Sequence, residues 1–312
     1  MNQDPFYLIK QVVKVARPVH WIKNFALFAA LIFSGNLYND FLFSKVLLSF
    51  FSFSFATSAT YIFNDMLDAG VDSLHPTKKN RPIASGQLSF LLALLEIIVL
   101  ISLSLYIASY LNTLFLLTVI GYLSLQAAYS LGLKNLHIID ILIIATGFII
   151  RVYAGAFVID IHLSVWFLLC VISSALFLAS GKRRAELNIL ESAGVTRRSL
   201  LKYGRELLNS YVTMFGNAAW MSWALFTFFE SPQASTPVWI VLAELSRTTA
   251  INKLLMITIP VVIFGIMRYQ SLIFEGKSEA PEKLLLTDIS LISSVILWVA
   301  LVVWILYGGI SA

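Results

Sequence analysis

Apolar runs of about 17 to 25 residues recur along the whole of this 312-residue chain, each long enough for a helix to cross roughly 30 Å of hydrocarbon. In hydrocarbon each run must satisfy its own backbone N–H and C=O groups, so the repeated runs predict an all-α integral membrane fold. Composition agrees: 59% of residues are hydrophobic and 12% charged, about half the charge of a soluble domain. Nine spans are expected, at 24–38, 43–63, 88–110, 112–131, 138–159, 163–181, 207–229, 254–270 and 286–308. The opening MNQDPFYLIKQVVKVARP is too broken by charge for a secretory leader, so the spans themselves direct insertion. The single cysteine, Cys170, lies inside an apolar run and reads as a small buried hydrophobe rather than half of a disulfide.

Lys and Arg then set orientation. Lys10, Lys14, Arg17 and Lys23 precede the first span; Lys78, Lys79 and Arg81 follow the second; Lys134 follows the fourth. Seven more lie between spans six and seven, and Arg268, Lys277 and Lys283 lie between eight and nine. That places 18 of the 22 basic residues on alternate loops of one side. The other side carries Lys45, Arg247 and Lys253, with Arg151 inside a span. The alternation closes only with an odd number of spans, N-terminus cytoplasmic and C-terminus outside. The net charge of +5 is therefore a topology signal, and no nucleic-acid partner is implied. No linker divides the chain, so residues 1–312 read as one polytopic domain in the cytoplasmic (inner) membrane. The outer 230–250 segment reads as a loop with a partly amphipathic helix.

Two long charged connections, 64–87 and 182–206, are predicted on the cytoplasmic side, where the active site should open; long connections tend to carry function. The first holds YIFNDMLDAGVDSLHPTKKNRPIASG. If the second span stays helical past Phe63, Asp65, Asp68 and Asp72 lie within roughly 60° on one face, with Asn64 beside them. Three carboxylates crowded at a membrane edge repel one another unless a cation neutralises them. Oxygen ligands without His or Cys suit Mg2+, which usually shares its coordination with substrate phosphates. Lys78, Lys79 and Arg81 then read as phosphate partners, on a loop stiffened by Pro76 and Pro82.

NDMLDAGVD (64–72) resembles the NDxxDxxxD motif of the UbiA superfamily of intramembrane prenyltransferases. The resemblance implies nine transmembrane helices and a magnesium-bound diphosphate held by Asn64, Asp65, Asp68 and Asp72. Generic members join a prenyl diphosphate to an aromatic acceptor, as in quinone biosynthesis, and carry a second aspartate-rich motif. The matching stretch here, YSLGLKNLHIIDILIIATGFIIRVYAGA, offers one carboxylate, Asp140, with Ile144 four residues on. RPVHWIKN (17–24), HPTKKNRPIASG (75–86), YSLGLKN (129–135), GFIIRVYAGA (147–156), SGKRRAEL (180–187) and MRYQSLIFEGKSEAPEKLLLTD (267–288) instead look like the decaprenyl-phosphate phosphoribosyltransferase branch. That branch moves 5-phosphoribosyl from phosphoribosyl pyrophosphate (PRPP) to a polyprenyl phosphate, releasing diphosphate, for envelope-glycan precursors.

PRPP carries a diphosphate and a separate 5-phosphate, so it needs a metal site and a second cationic pocket. Asn64–Asp72 and the cluster Lys182, Arg183, Arg184 are the candidates. For the lipid phosphate the candidates are Lys23, Lys134 and Arg151, with Asn24 beside Lys23. Asp140 and Arg151 are eleven residues apart on one helical face, with Gly147 between them and Ala154 and Gly155 close by. A charge this deep faces a cavity or a partner, and small residues leave room for a ligand or a neighbouring helix. Tyr61 and Tyr129 are placed to bond phosphate or ribose, or to anchor at the interface. His20, His75, His137 and His162 show no metal spacing. A transporter would show repeats or broken spans in matching halves, which are not found. Oligomeric state, including a homo-oligomer, is left open.

Overall fold

The computed structural model describes residues 5–74, 78–193, 203–230, 232, 251–275, 284 and 287–308. Helix α1 (Pro5–Ala16) leads through Arg17 into a 3-10 helix (Pro18–Leu27) and the short α2 (Phe28–Phe33). Then follow α3 (Asp40–Asp72), α4 (Phe90–Leu111), α5 (Thr113–Leu131), α6 (Ile139–Val158) and α7 (Val165–Ala193). The remaining helices are α8 (Arg205–Phe229), α9 (Ile259–Phe274, entered through a 3-10 helix at Ile251–Thr258) and α10 (Ile289–Tyr307). No strand occurs among the described residues.

Helix starts are written in the sequence. Asn39, Ser89, Asn112 and Asp288 each cap a helix, their side-chain oxygens accepting the N–H of Leu42, Leu92, Phe115 and Leu291 at 3.1, 3.3, 2.7 and 2.9 Å. Asn112 also donates to the Phe157 carbonyl at 2.7 Å, tying the start of α5 to the end of α6.

Among the described residues seven helices are long and apolar enough to cross a membrane: α3, α4, α5, α6, α7, the 253–274 segment that includes α9, and α10. The expected first span differs from a plain helix. Residues 24–38 are split between the 3-10 helix and the six residues of α2, and a turn at Gly35 (φ 78°) follows. The 3-10 segment passes so close to α6 that a Cβ on Gly155 would sit 1.9 Å from the Leu27 carbonyl oxygen. Glycine there admits a neighbouring segment of chain, not a ligand.

Among the described residues, both charged connections begin as helix rather than loop. Helix α3 runs through to Asp72, and α7 continues from the membrane run to Ala193. At about 1.5 Å per residue, the 33 residues of α3 span roughly 50 Å, well beyond a hydrocarbon core of about 30 Å. On the turns that outrun the hydrocarbon a helix can carry charge while still satisfying its backbone, and here the buried carboxylates are met by bases from other elements. Residues 194–202, His75, Pro76, Lys277, Lys283 and the 230–250 segment, apart from Glu230 and Pro232, lie outside the described residues.

The aspartate end of α3, the 3-10 turn at Leu133–Asn135, the start of α6 and the end of α7 are joined by side-chain contacts at one end of the bundle. The interior is aromatic and aliphatic, with Phe53, Phe115 and Tyr122 beside α6 and Phe167, Trp223 and Phe226 toward α10.

Candidate active site

Because α3 stays helical past Phe63, Asn64, Asp65, Asp68 and Asp72 fall on one stripe. Asp65 and Asp72 are buried, and Asp68 is partly open. Each carboxylate is matched to a base from another element. Arg17 reaches both oxygens of Asp65 at 2.6 and 2.7 Å. Arg81 donates to Asp65 at 2.9 Å and to Asp72 at 2.5 Å. Lys134 donates to Asp68 at 2.5 Å and to the Asn64 side-chain oxygen at 3.2 Å, while the Asn64 amide donates to Asp68 at 3.0 Å. Among the described residues no three of His, Cys, Asp or Glu converge on one point. The stripe is an acid–base lattice in which bases occupy the place a cation would take. An all-oxygen donor set backed by Lys and Arg side chains suits Mg2+ arriving with a phosphate ligand. Asn64, Asp65, Asp68 and Asp72 would hold such a metal, and Arg17, Arg81 and Lys134 are placed to meet phosphate oxygens beside it.

From the sequence, Arg17 counts toward orientation and opens RPVHWIKN but is not among the candidate site residues; in the structure it is central. It takes a left-handed backbone (φ 51°) at the junction of α1 and the 3-10 helix, which turns its side chain onto Asp65. Its guanidinium also lies 5.3 Å from the centre of the Tyr61 ring. Lys23 donates to the Tyr61 hydroxyl at 3.3 Å, one helical turn deeper than Asp65. Lys78 opens the 3-10 turn Lys78–Asn80, and its carbonyl accepts from the Arg81 N–H at 2.9 Å.

A second cluster lies where α5, α6, α7 and Tyr203 meet. Asp140 and Arg183 are both fully buried and pair at 2.7 Å. Arg183 also pairs with Glu186 and donates to the Tyr129 hydroxyl at 2.7 Å. The Tyr203 hydroxyl donates to Asp140 at 2.7 Å and accepts the Ile138 N–H at 2.7 Å. Burial, and then the bond to Asp140, push the Tyr203 hydroxyl above its ordinary range, so it stays a donor at physiological pH. Its ring packs 4.1 Å from that of His137. Ile138 is β-branched yet has φ 68°, a strained conformation held between the Leu133–Asn135 turn and α6. Arg184 is buried, bonding Asn209 at 2.5 Å and also Asn188, whose amide reaches the Ile273 carbonyl of α9. Lys182 is half-buried. Of the predicted 182–184 cluster, Arg183 and Arg184 therefore brace the helices.

Arg151 is also buried but takes no part in an ion pair among the described residues. It bonds the Asn24 side-chain oxygen at 2.7 Å, the Tyr122 hydroxyl at 2.9 Å and the Gly147 carbonyl at 2.5 Å. The Asn24 amide continues to Ser54 at 2.9 Å. Asp140, though on the same helix, points its charge to Arg183 instead. An uncompensated guanidinium this deep gives the interior a positive floor. It sits over Phe148 at 5.7 Å, and Phe148 also lines an apolar cavity of about 380 Å³ with Ala29, Val152, Phe167, Trp223 and Trp298.

Comparison with known proteins places these observations. The pattern of the UbiA prenyltransferase family matches residues 24–245. A decaprenyl-phosphate phosphoribosyltransferase of Corynebacterium glutamicum is 35% identical over 98% of this chain and 90% of its own length. The Mycobacterium tuberculosis protein of the same name is 33% identical over 97% and 96%. Among solved structures, a UbiA homolog from Archaeoglobus fulgidus bound to GPP and Mg2+ superposes with TM-score 0.68 at 18% identity, covering 97% of this chain and 100% of that one. A homolog from Aeropyrum pernix K1 gives 0.55 at 15%, over 97% of each chain.

Proposed function

The chain belongs to the UbiA prenyltransferase family, and we propose that it transfers 5-phosphoribosyl from PRPP to a polyprenyl phosphate with release of diphosphate. The likeness to phosphoribosyltransferases over nearly the whole chain supports the branch. The geometry carries it further in one observation: Asp140, the single carboxylate where generic members have a second acidic motif, is turned away and engaged with Arg183 and Tyr203. One acidic stripe, with Arg17, Arg81 and Lys134 around it, suits one diphosphate.

Bound Mg2+ would be held by Asn64, Asp65, Asp68 and Asp72, and would supply charge neutralisation that makes diphosphate a better leaving group. Arg17, Arg81 and Lys134 bind and orient the diphosphate. Lys182 and Lys78 take the 5-phosphate, and Tyr129 the ribose. Lys23 and Tyr61 hold the acceptor phosphate one turn below the stripe, above the positive floor of Arg151 and Asn24, and the polyprenyl chain enters the apolar cavity. The acceptor is already anionic at neutral pH, so no general base is needed, and catalysis rests on positioning and charge stabilisation. We assign nine spans in the inner membrane, with α2 and its 3-10 lead and α8 completing the seven; the N-terminus and the site face the cytoplasm, where PRPP is made.

The test is transfer of label from ribose-labelled PRPP into the organic phase with polyprenyl phosphate and Mg2+. Asp68→Ala should abolish it in a protein that elutes as wild type from a sizing column. Full transfer by that variant would overturn the assignment.

A further inference from the structure

We propose that α1 is a surface-lying helix that docks into the anionic headgroup layer of the cytoplasmic leaflet and thereby holds Arg17 in the donor site. At about 100° per residue, α1 divides into three sectors. Gln11, Val12, Val15 and Leu8 turn inward, with Val15 1% and Gln11 4% exposed; Leu8, Val12 and Val15 join a cluster with Ile62 and Met66 of α3, Leu88, and Ala93 and Ile97 of α4. Phe6, Ile9 and Val13 fall within an arc of roughly 60° and remain 80%, 60% and 53% exposed. Lys10 and Lys14 form an exposed strip beside that arc.

An apolar arc left open next to a basic strip is the pattern of a helix lying in the plane of a membrane surface. Its position favours lipid over a protein partner. The inward face of α1 shares its cluster with Ala93 and Ile97 near the start of α4, a spanning helix that leaves Phe90, Leu91, Leu94, Leu95 and Ile98 open. The lysines sit at the aspartate end of α3, where Lys14 donates to the Asn80 carbonyl at 3.3 Å, next to Arg81. Charge complementarity names the occupant: phospholipids with anionic headgroups.

The consequence runs through one residue. Helix α1 ends at Ala16, whose carbonyl accepts from Ser58 at 2.7 Å, and Ser58 in turn accepts from the Trp21 indole at 2.9 Å. Arg17 follows immediately, and its left-handed turn is fixed between that anchor and Asp65. Docking of α1 therefore restrains the backbone that aims Arg17. The donor half of this inference rests on the reading that PRPP binds at the Asp65 stripe; the docking half does not.

The test uses full-length protein in vesicles of phosphatidylcholine, with and without a third of phosphatidylglycerol. A spin label on Ile9→Cys in a Cys170→Ala background should collide more with oxygen than with a water-soluble nickel reagent, and more so with phosphatidylglycerol. In unlabelled wild type, phosphatidylglycerol should lower the dissociation constant for PRPP by about fivefold, the attraction of one lysine for an anionic surface. Lys10→Gln with Lys14→Gln should remove that dependence. A label shielded from both reagents, which would mean a second copy covers the arc, or one favouring nickel, would overturn the docking. PRPP affinity equal in both vesicles would overturn the coupling. Absence of PRPP binding in both vesicles would instead refute the donor assignment, and the label alone would then decide the helix.

Discussion

Replacing Asp140 with alanine should unfold the protein more readily than replacing Asp68, the partly open member of the acidic stripe. Asp140 and Arg183 have no side-chain exposure, and their contact is 2.7 Å. Removing one partner strands a buried charge, which costs about 3–5 kcal/mol, whereas removing both costs far less. Glu186 still pairs with Arg183 in the variant, but it is 24% exposed and already engaged, so it offsets only part of the loss. Tyr203 loses its acceptor as well, and with it the clamp on the strained turn at Ile138. The assay is SDS titration in mixed micelles followed by circular dichroism. Asp140→Ala should lower the unfolding free energy by about 3–5 kcal/mol. Asp140→Leu with Arg183→Met should cost less than the sum of the two singles by about 1–3 kcal/mol. An Asp140→Ala protein within about 1 kcal/mol of wild type, the cost of an ordinary substitution, would refute the buried-pair reasoning.

Arg17→Gln should lower kcat/KM for PRPP by roughly 10- to 100-fold, the worth of a charge-assisted hydrogen bond; because Arg81 still pairs with Asp65, stability should fall less than for Asp140→Ala, as read by steady-state kinetics and the same SDS titration. Gly155→Ala would push a methyl to 1.9 Å from the Leu27 carbonyl oxygen, so unfolding free energy should fall by about 1–3 kcal/mol, with more lost for Gly155→Val. Removing divalent metal with a chelator should stop transfer without unfolding the protein, because Arg17, Arg81 and Lys134 then neutralise the stripe; added Mg2+ should restore it. A melting transition that collapses with the chelator would contradict this.

The membrane runs were legible because a span needs only length and apolarity, and most expected boundaries fall within a few residues of a helix end. The acidic stripe was legible too, since helical spacing alone puts Asp65, Asp68 and Asp72 on one face once α3 continues past the bilayer. Which base meets which acid was not. Arg17 precedes Asp65 by 48 residues and Arg183 follows Asp140 by 43, and such pairings depend on how helices pack, not on any local period. The first span misled for a similar reason. Its apolarity fits a plain helix, but the tight passage of Leu27 over Gly155 sets a 3-10 path that hydropathy cannot encode. Tyr203 and Tyr122 carry no sequence signal beyond being tyrosines, and only their burial against Asp140 and Arg151 marks them.

The central claim is the choice of transferred group, and paired reactions test it directly. Purified protein with Mg2+ receives PRPP and polyprenyl phosphate in one tube, and a prenyl diphosphate with 4-hydroxybenzoate in another, and both are read by mass spectrometry. A phosphoribosyl lipid in the first tube alone is the expected result; prenylated 4-hydroxybenzoate in the second with nothing in the first would contradict the account.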